Sequence, residues 1–563
     1  MHDSVTSLMQ RGRRSAVRTA VVDKTRGEAR KVTIAGGGIA ALSAALRLLE
    51  RGFDVTVFEQ HDFLGGKLGA HNHGPCPGDY HEHCYHMYLN WYHNFWRIID
   101  EVGIRRHFVP RTTGVYLRRG GHNKAIEIAN AGALRDYWPT VFSGVLPPAD
   151  MFLFGCSLVD VLATPSRRLI PRASVHEFMY SRPYLTNPAR ELHGETLAKA
   201  FACSLDLADA RTYSKFIAYG LRAPDPMMWL LAGDTQTRLF TPLLSHLEAV
   251  AQRNRESGGK AAFRLSLLHR VDKVHVSDGK VSAIDLAELD RSPLAESRPK
   301  IRNSRRFPIE GDLILAVPPR SLSALLDPEL GSAAVELRSV RDLHSQPICS
   351  LDVYFHRRLP DIPSSIAALL DSKYRLAFLD NSQLWPRQTT KDVTFLNVAA
   401  SNYEELAADS IGEMIERILH ELRHYIRFEH DQRTKLDDVD RERSHLQTNV
   451  SAELFLNRIG SWPLRPRTNC SIPNLFIAGD FCQHVIDVVS IEGAVVSGLM
   501  AAEAVRKRAA VGNSIEIVEP KAYPRFALQA IKLAGTPHAY AAKGWAMLCG
   551  VLREGYEEMF PNG

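Results

Sequence analysis

The pattern of apolar and polar positions is clearest between Val32 and Lys67, where several elements follow in a fixed order. Val32–Ala35 is a short unbroken apolar run, the pattern of a parallel strand buried on both faces. Ile39–Arg51 carries Leu42, Leu46 and Leu49 at helical spacing and stops at Gly52, which predicts a helix. Val55–Phe58 is a second apolar strand, closed by Glu59. Downstream, Arg264–Val274, Val281–Leu286 and Thr394–Ala400 read as strands, and alternating residues over Leu343–Phe355 suggest another. Asp312–Pro319 predicts a strand stopped by two prolines, and Tyr403–Ile426 has helix periodicity. Leu475–Ala478 predicts a buried strand, followed by a helix over Ile491–Val505. Glu429–Ser444 is so charged that it predicts a solvated loop or helix face. Val141–Ala163 is the most apolar stretch, but its unbroken core, Met151–Val159, is too short to cross a bilayer. A buried core helix, a tunnel wall and a segment dipping into a membrane face all fit it.

The turn joining the first strand to the first helix carries chemistry. Gly36-Gly37-Gly38-Ile39-Ala40-Ala41 fits G-x-G-x-x-A. Gly36 permits the tight turn, Gly38 admits a pyrophosphate close to the backbone, and Ala41 lets helix and strand pack closely. The helix that opens at Ile39 and Ala40 points its positive end at such a group. Glu59, followed by Gln60, is placed to accept hydrogen bonds from a ribose hydroxyl, and an acid there disfavours a 2′-phosphate. Six residues past the acid, Gly65-Gly66-Lys67 offers a second close approach to a diphosphate, with a cation beside it.

With 563 residues the chain can hold two to three domains. Its net charge of +6 suits an anionic membrane surface but is spread too evenly for a nucleic-acid partner. Eight cysteines without a C-x-x-C pair read as reduced thiols of a cytoplasmic protein. No stretch reaches the length of a membrane-spanning helix. Residues 1–30 are polar and arginine-rich; Arg13-Arg14 resembles a twin-arginine start, but no apolar run follows, so a disordered arm is expected. Gly69–His93 is rich in histidine and holds Cys76 and Cys84, yet lacks a ligand spacing such as C-x2-C or H-E-x-x-H. No metal is expected there, only a loop under the cofactor.

The continuation E-x5-G-G-[RK], here Glu59 to Lys67, resembles the FAD-binding signature of the flavin amine oxidase superfamily. The stretch HEHCYHMYLNWYHNFWRIIDEVGI resembles the segment that follows this signature in plant- and cyanobacterial-type phytoene and ζ-carotene desaturases. The matching residues are Glu82, His86, Tyr88, Tyr92, Asn94, Phe95 and Arg97. PNLFIAGDFCQHVIDVVSIEGAVVSGLMAAEAV, Pro473–Val505, resembles the superfamily's closing motif. Two departures stand out: the chain is one residue longer between Gly479 and Glu492, and Cys482 replaces a threonine.

The resemblance implies an α/β fold: a discontinuous, Rossmann-like (GR2-type) FAD-binding domain with an inserted α+β substrate domain. The implied division assigns 31–105, 235–320 and 461–510 to the FAD domain, 106–234 and 321–460 to the substrate domain, and 511–563 to a tail. Beside the residues already named, it places Val271 at the adenine, Gly479 and Asp480 at the ribityl chain, and Ile491, Glu492 and Ala494 at the flavin ring. A helix N-terminus there favours negative charge on the reduced ring. Glu82, His86, Tyr88 and Asp487 are the candidate catalytic groups. The implied activity is an FAD-dependent oxidoreductase, a desaturase moving a hydride from an apolar, carotenoid-like isoprenoid to flavin N5. Electrons would pass to oxygen or a quinone, and membrane contact would be peripheral. Oxidation of an amine or amino acid, isomerisation or dehydroxylation of a polyene or triterpenoid, and a non-catalytic flavoprotein stay open.

Overall fold

The computed structural model describes residues 30–559, apart from 122–123, 130–133, 165–172, 224, 295–298, 386–391, 432–435, 449–452 and 522. The arm expected over 1–30 thus lies, but for Arg30, outside the described residues. At the centre, five parallel strands run in the order Phe263–Ser266, Asp54–Phe58, Lys31–Ala35, Asp312–Leu315, Leu475–Ile477. Both faces of this sheet are covered, which is why its inner strands are apolar runs rather than alternations. Val32, Ile34, Val55, Val57 and Ile314 join the core beneath the helices Ile39–Leu49 and Ile491–Ala509. Ala35, Phe58, Leu313, Leu315 and Ile477 join the core beneath a three-stranded antiparallel sheet, His269–Ser277, Lys280–Leu289 and Ile301–Pro308.

A second sheet of seven strands is built from other parts of the chain. Its order is Val439–Thr448, Cys349–Phe355, Thr394–Ala400, Leu376–Asp380, Ala367–Leu369, Thr113–Leu117, Ala125–Ala129. Two expectations gain detail here and one is corrected. Cys349–Phe355 is buried along its whole length rather than on alternate residues, because the sheet packs on both sides. Tyr403–Ile426 forms two helices, Tyr403–Leu406 and Ile411–Leu422, since the Ser410 hydroxyl accepts from the Glu413 amide and restarts the helix. The charged Glu429–Ser444 stretch contains strands, and Val439–Thr448 is the sheet's edge, where Arg441 and Glu442 face out without breaking the pairing. Pro148–Ala163 is a helix packed against Asn187–Phe201, Ala210–Arg222 and a long C-terminal helix, Arg525–Met559.

The two helices on the parallel sheet meet backbone to backbone. A Cβ on Gly498 would overlap the Ala40 carbonyl oxygen. Gly498→Val should therefore destabilise the protein by about 1–3 kcal/mol, read as a lower thermal midpoint by circular dichroism; an unchanged midpoint would contradict this packing.

Candidate active site

A cavity of about 600 Å³ opens at the carboxyl ends of the parallel strands, where Ala35, Phe58, Ala316 and Gly479 all reach its wall. Ligands bind at this end of open α/β sheets. Gly36 turns there with φ +105°, and a Cβ on it would overlap the Ala316 carbonyl. Gly38 differs: a Cβ would meet no protein atom nearer than 3.8 Å, so protein packing does not explain the glycine, and the open space belongs to the cavity. The helix behind it starts without a side-chain cap, leaving its first amides to a ligand. Gly65 and Gly66 follow at φ +110° and +57°. Lys67 pairs with Asp480 at 2.5 Å, joining the first and last motifs at the cavity wall. Glu59 is buried and accepts from the Gly37 and His61 amides at 2.5 and 2.8 Å, one on each oxygen, so each keeps a lone pair for a ribose hydroxyl. Gln60, Val271, Ile491 and Ala494 also line the wall, and the Ser490 hydroxyl caps the second helix by accepting from the Gly493 amide. This donor set fits a dinucleotide.

Of the four catalytic candidates, the structure brings one to the cavity directly. His86 lines it, and its Nδ1 lies 3.0 Å from the Glu82 carboxylate behind the wall. Glu82 also accepts from the Thr235 amide at 2.9 Å, and its carbonyl accepts from the Ser350 hydroxyl at 3.0 Å. Burial raises its carboxyl above the usual range against the pull of His86. Glu82 is thus a positioning residue that holds the imidazole. His83 and Cys84 share this wall, and their ligand atoms and that of His86 lie within 4.8 Å of one another, a grouping the sequence spacing did not suggest. Burial keeps His83 neutral and pushes the Cys84 thiol up to about 12.

The other assignments are corrected. Tyr88 is fully buried away from the cavity, stacked on Phe95 and edge-on to Phe108, because its strand pairs with Met228–Leu231. Asp487 is also fully buried and lies outside the cavity lining; it binds Arg465 at 2.7 Å and Arg211 at 2.9 Å. Glu492 does not line the cavity. It caps the helix His93–Val102, accepting from the Asn94 amide, the Asn94 side chain and the Phe95 amide at 2.7–2.9 Å.

Arg465 is the group that residue-by-residue reading missed. Its buried guanidinium donates to the Phe481 and Cys482 carbonyls at 2.9 and 2.7 Å as well as to Asp487, clasping the loop after Gly479. The only hint in the sequence was an Arg-Pro pair ahead of the strand.

Two tests follow from this geometry. Gly38→Ala should leave the thermal midpoint of the ligand-free protein unchanged yet weaken dinucleotide retention about tenfold, about 1.4 kcal/mol; equal retention would show that the cavity is not the diphosphate site. Burial raises the Glu492 carboxyl to about 7 from its ordinary 4.5, outweighing its three donors. A raised folded value stabilises below 4.5, and that contribution, roughly 3 kcal/mol, is lost as pH rises through about 7. The midpoint of the native protein should fall across that interval, and Glu492→Gln should flatten the profile; parallel profiles would contradict the assignment.

Comparison with known proteins places the chain in a family. Residues 39–506 match the family model described as flavin containing amine oxidoreductase. The 15-cis-phytoene desaturase of Synechococcus elongatus is 23% identical over 496 residues, covering 85% of this chain and 96% of that protein. The 15-cis-phytoene desaturase of Solanum lycopersicum is 21% identical over 509 residues, covering 84% of this chain and 77% of that one. The solved structure of cyclohexylamine oxidase from Brevibacterium oxydans shares the fold, with a TM-score of 0.58 at 14% identity, over 86% of this chain and all of that one. The family implies a flavin cofactor, and the chain belongs to the flavin-containing amine oxidoreductase family, as a flavin-dependent oxidoreductase.

Proposed function

We propose that the flavin is FAD and that the enzyme desaturates an apolar, carotenoid-like isoprenoid. Each product double bond costs the substrate a hydride and a proton. FAD, when bound, supplies the hydride acceptor, and an external oxidant of the oxygen or quinone class receives the electrons. The chain's own residues bind, orient and keep water out. Gly36, Gly38 and the Ile39–Ala40 amides would hold the diphosphate, Glu59 a ribose, the Val271 backbone the adenine, and Asp480 the ribityl hydroxyls. The helix N-terminus at Ile491–Ala494 would face the ring. His86, held through Nδ1 by Glu82, is the group of this wall suited to take the proton.

One observation carries the choice of substrate. The carboxylates that line the cavity are Glu59, Asp272 and Asp480. Each is already engaged: Glu59 by two amides, Asp272 by Arg270, Asp480 by Lys67. Beyond the dinucleotide motifs the lining carries Leu325, Ile348, Ala399 and Leu454, with Ser321, Ser401 and the His83–His86 wall as its polar members. With Glu59 taken by a ribose, a substrate ammonium would find no carboxylate without a partner among the described residues of this lining, whereas a hydrocarbon would lose little on entering. The desaturases among the relatives support the same class.

The test is anaerobic mixing of the purified flavoprotein with extracted isoprenoid lipids and, separately, with a panel of amines. Loss of the flavin absorption band with the lipids alone, and a product lighter by two hydrogens, is the expected outcome. Bleaching by an amine would overturn the reading, and altered lipid without bleaching would favour isomerisation. His86→Ala should lower the bleaching rate by about 10²-fold or more while retaining flavin; an unchanged rate would remove His86 from the proton step.

A further inference from the structure

The C-terminal helix Arg525–Met559 lies beyond the family match, which ends at residue 506. At 35 residues it is about 52 Å long. One side is docked: Leu528 and Ala539 are buried, Gln529 donates to the Ala163 carbonyl at 2.6 Å, and Lys532 pairs with the buried Asp160. A surface helix held in this way should turn a polar face outward. This one does the reverse. Phe526, Leu533, Tyr540 and Met547 recur every seventh residue and are exposed, Phe526 at 81% and Leu533 at 79%. At about 100° per residue they stand about 90–150° round from the buried Leu528 and Ala539, and Trp545, Leu548, Val551 and Leu552 widen the exposed apolar arc to about 160°.

We propose that this face seats the enzyme on the surface of an anionic lipid bilayer, the helix lying in the interface plane. Two features favour a bilayer over a second copy of the chain. A two-helix seam needs only the narrower stripe of a and d positions, whereas an interfacial helix buries a broad arc among headgroups and acyl chains. From Lys521 to Leu552 the sequence holds no Asp or Glu but four cations, Lys521, Arg525, Lys532 and Lys543, with Tyr540 and Trp545 suited to the headgroup level. Lys543 lies on the flank of the apolar arc, donating to the Pro183 carbonyl at 2.5 Å. Among the described residues no helix is long and apolar enough to cross a membrane, so the contact is with one leaflet.

The full-length flavoprotein is sedimented with vesicles of phosphatidylcholine alone and of phosphatidylcholine mixed with phosphatidylglycerol, beside the triple variant L533E/M547E/V551E. These three side chains are exposed, so flavin content and thermal midpoint should hold in the variant and serve as the folding control. The native protein should pellet with vesicles, more strongly with the anionic ones, and the variant should lose at least about tenfold in partitioning. A native protein left in the supernatant with both vesicle types overturns the proposal. So does a dimer by light scattering that the variant makes monomeric while the native protein shows no vesicle binding. Pelleting is read without turnover, so its failure is distinct from failure of the substrate reading.

Discussion

The structure depends on one close contact, the crossing of Ile39–Leu49 and Ile491–Ala509 at Ala40 and Gly498. Two helices far apart in sequence can bring their N-termini to one cavity only if their backbones touch. With any side chain at 498 the helices would stand apart, and the two positive helix ends would no longer converge. The parallel sheet fixes the rest, because strands that all run one way end on one side, and each end delivers a motif to the same wall.

From this contact the order spreads through polar clasps. Glu492, on the second of the two helices, caps His93–Val102 and so ties the histidine-rich segment to the sheet. Asn94 extends the tie, since its side-chain Oδ1 accepts from the Val518 amide and its Nδ2 donates to the Val518 carbonyl, both at 2.8 Å. Glu82 sits on the same segment, held by the Thr235 amide and Ser350 hydroxyl of two other elements, and passes that rigidity to His86. Arg465 does the equivalent for the loop after Gly479. Removing one partner from the buried Arg465–Asp487 pair would leave the other as an uncompensated charge, so this clasp preserves a geometry more than it adds stability.

The fold and the glycine-lined part of the cavity were legible because their causes are local. A glycine turn after an apolar run, with an acid at the end of the next strand, states its own geometry; Gly36, Glu59 and Lys67 needed no tertiary knowledge. The catalytic half was legible only as a segment. Which of Glu82, His86 and Tyr88 reaches the cavity depends on the two-residue strand Tyr88–Leu89 pairing with Met228–Leu231, a partner some 140 residues away, and that pairing turns Tyr88 inward. Asp487 and Glu492 were misread for a related reason. Their positions in the closing motif suggested the ring, but Arg465 and the Asn94 amide compete for their carboxylates, and neither competitor can be seen from spacing. The charged strand Val439–Thr448 shows that charge density excludes burial but does not exclude pairing at a sheet edge.

The most direct measurement is a crystal structure of the protein with its flavin bound. Electron density is expected for the diphosphate over Gly36–Gly38, for the adenine at the Val271 backbone, and for the isoalloxazine ring between the His86 wall and the helix N-terminus at Ile491. A flavin ring placed at the Val271 end, or a diphosphate away from Gly38, would contradict this placement.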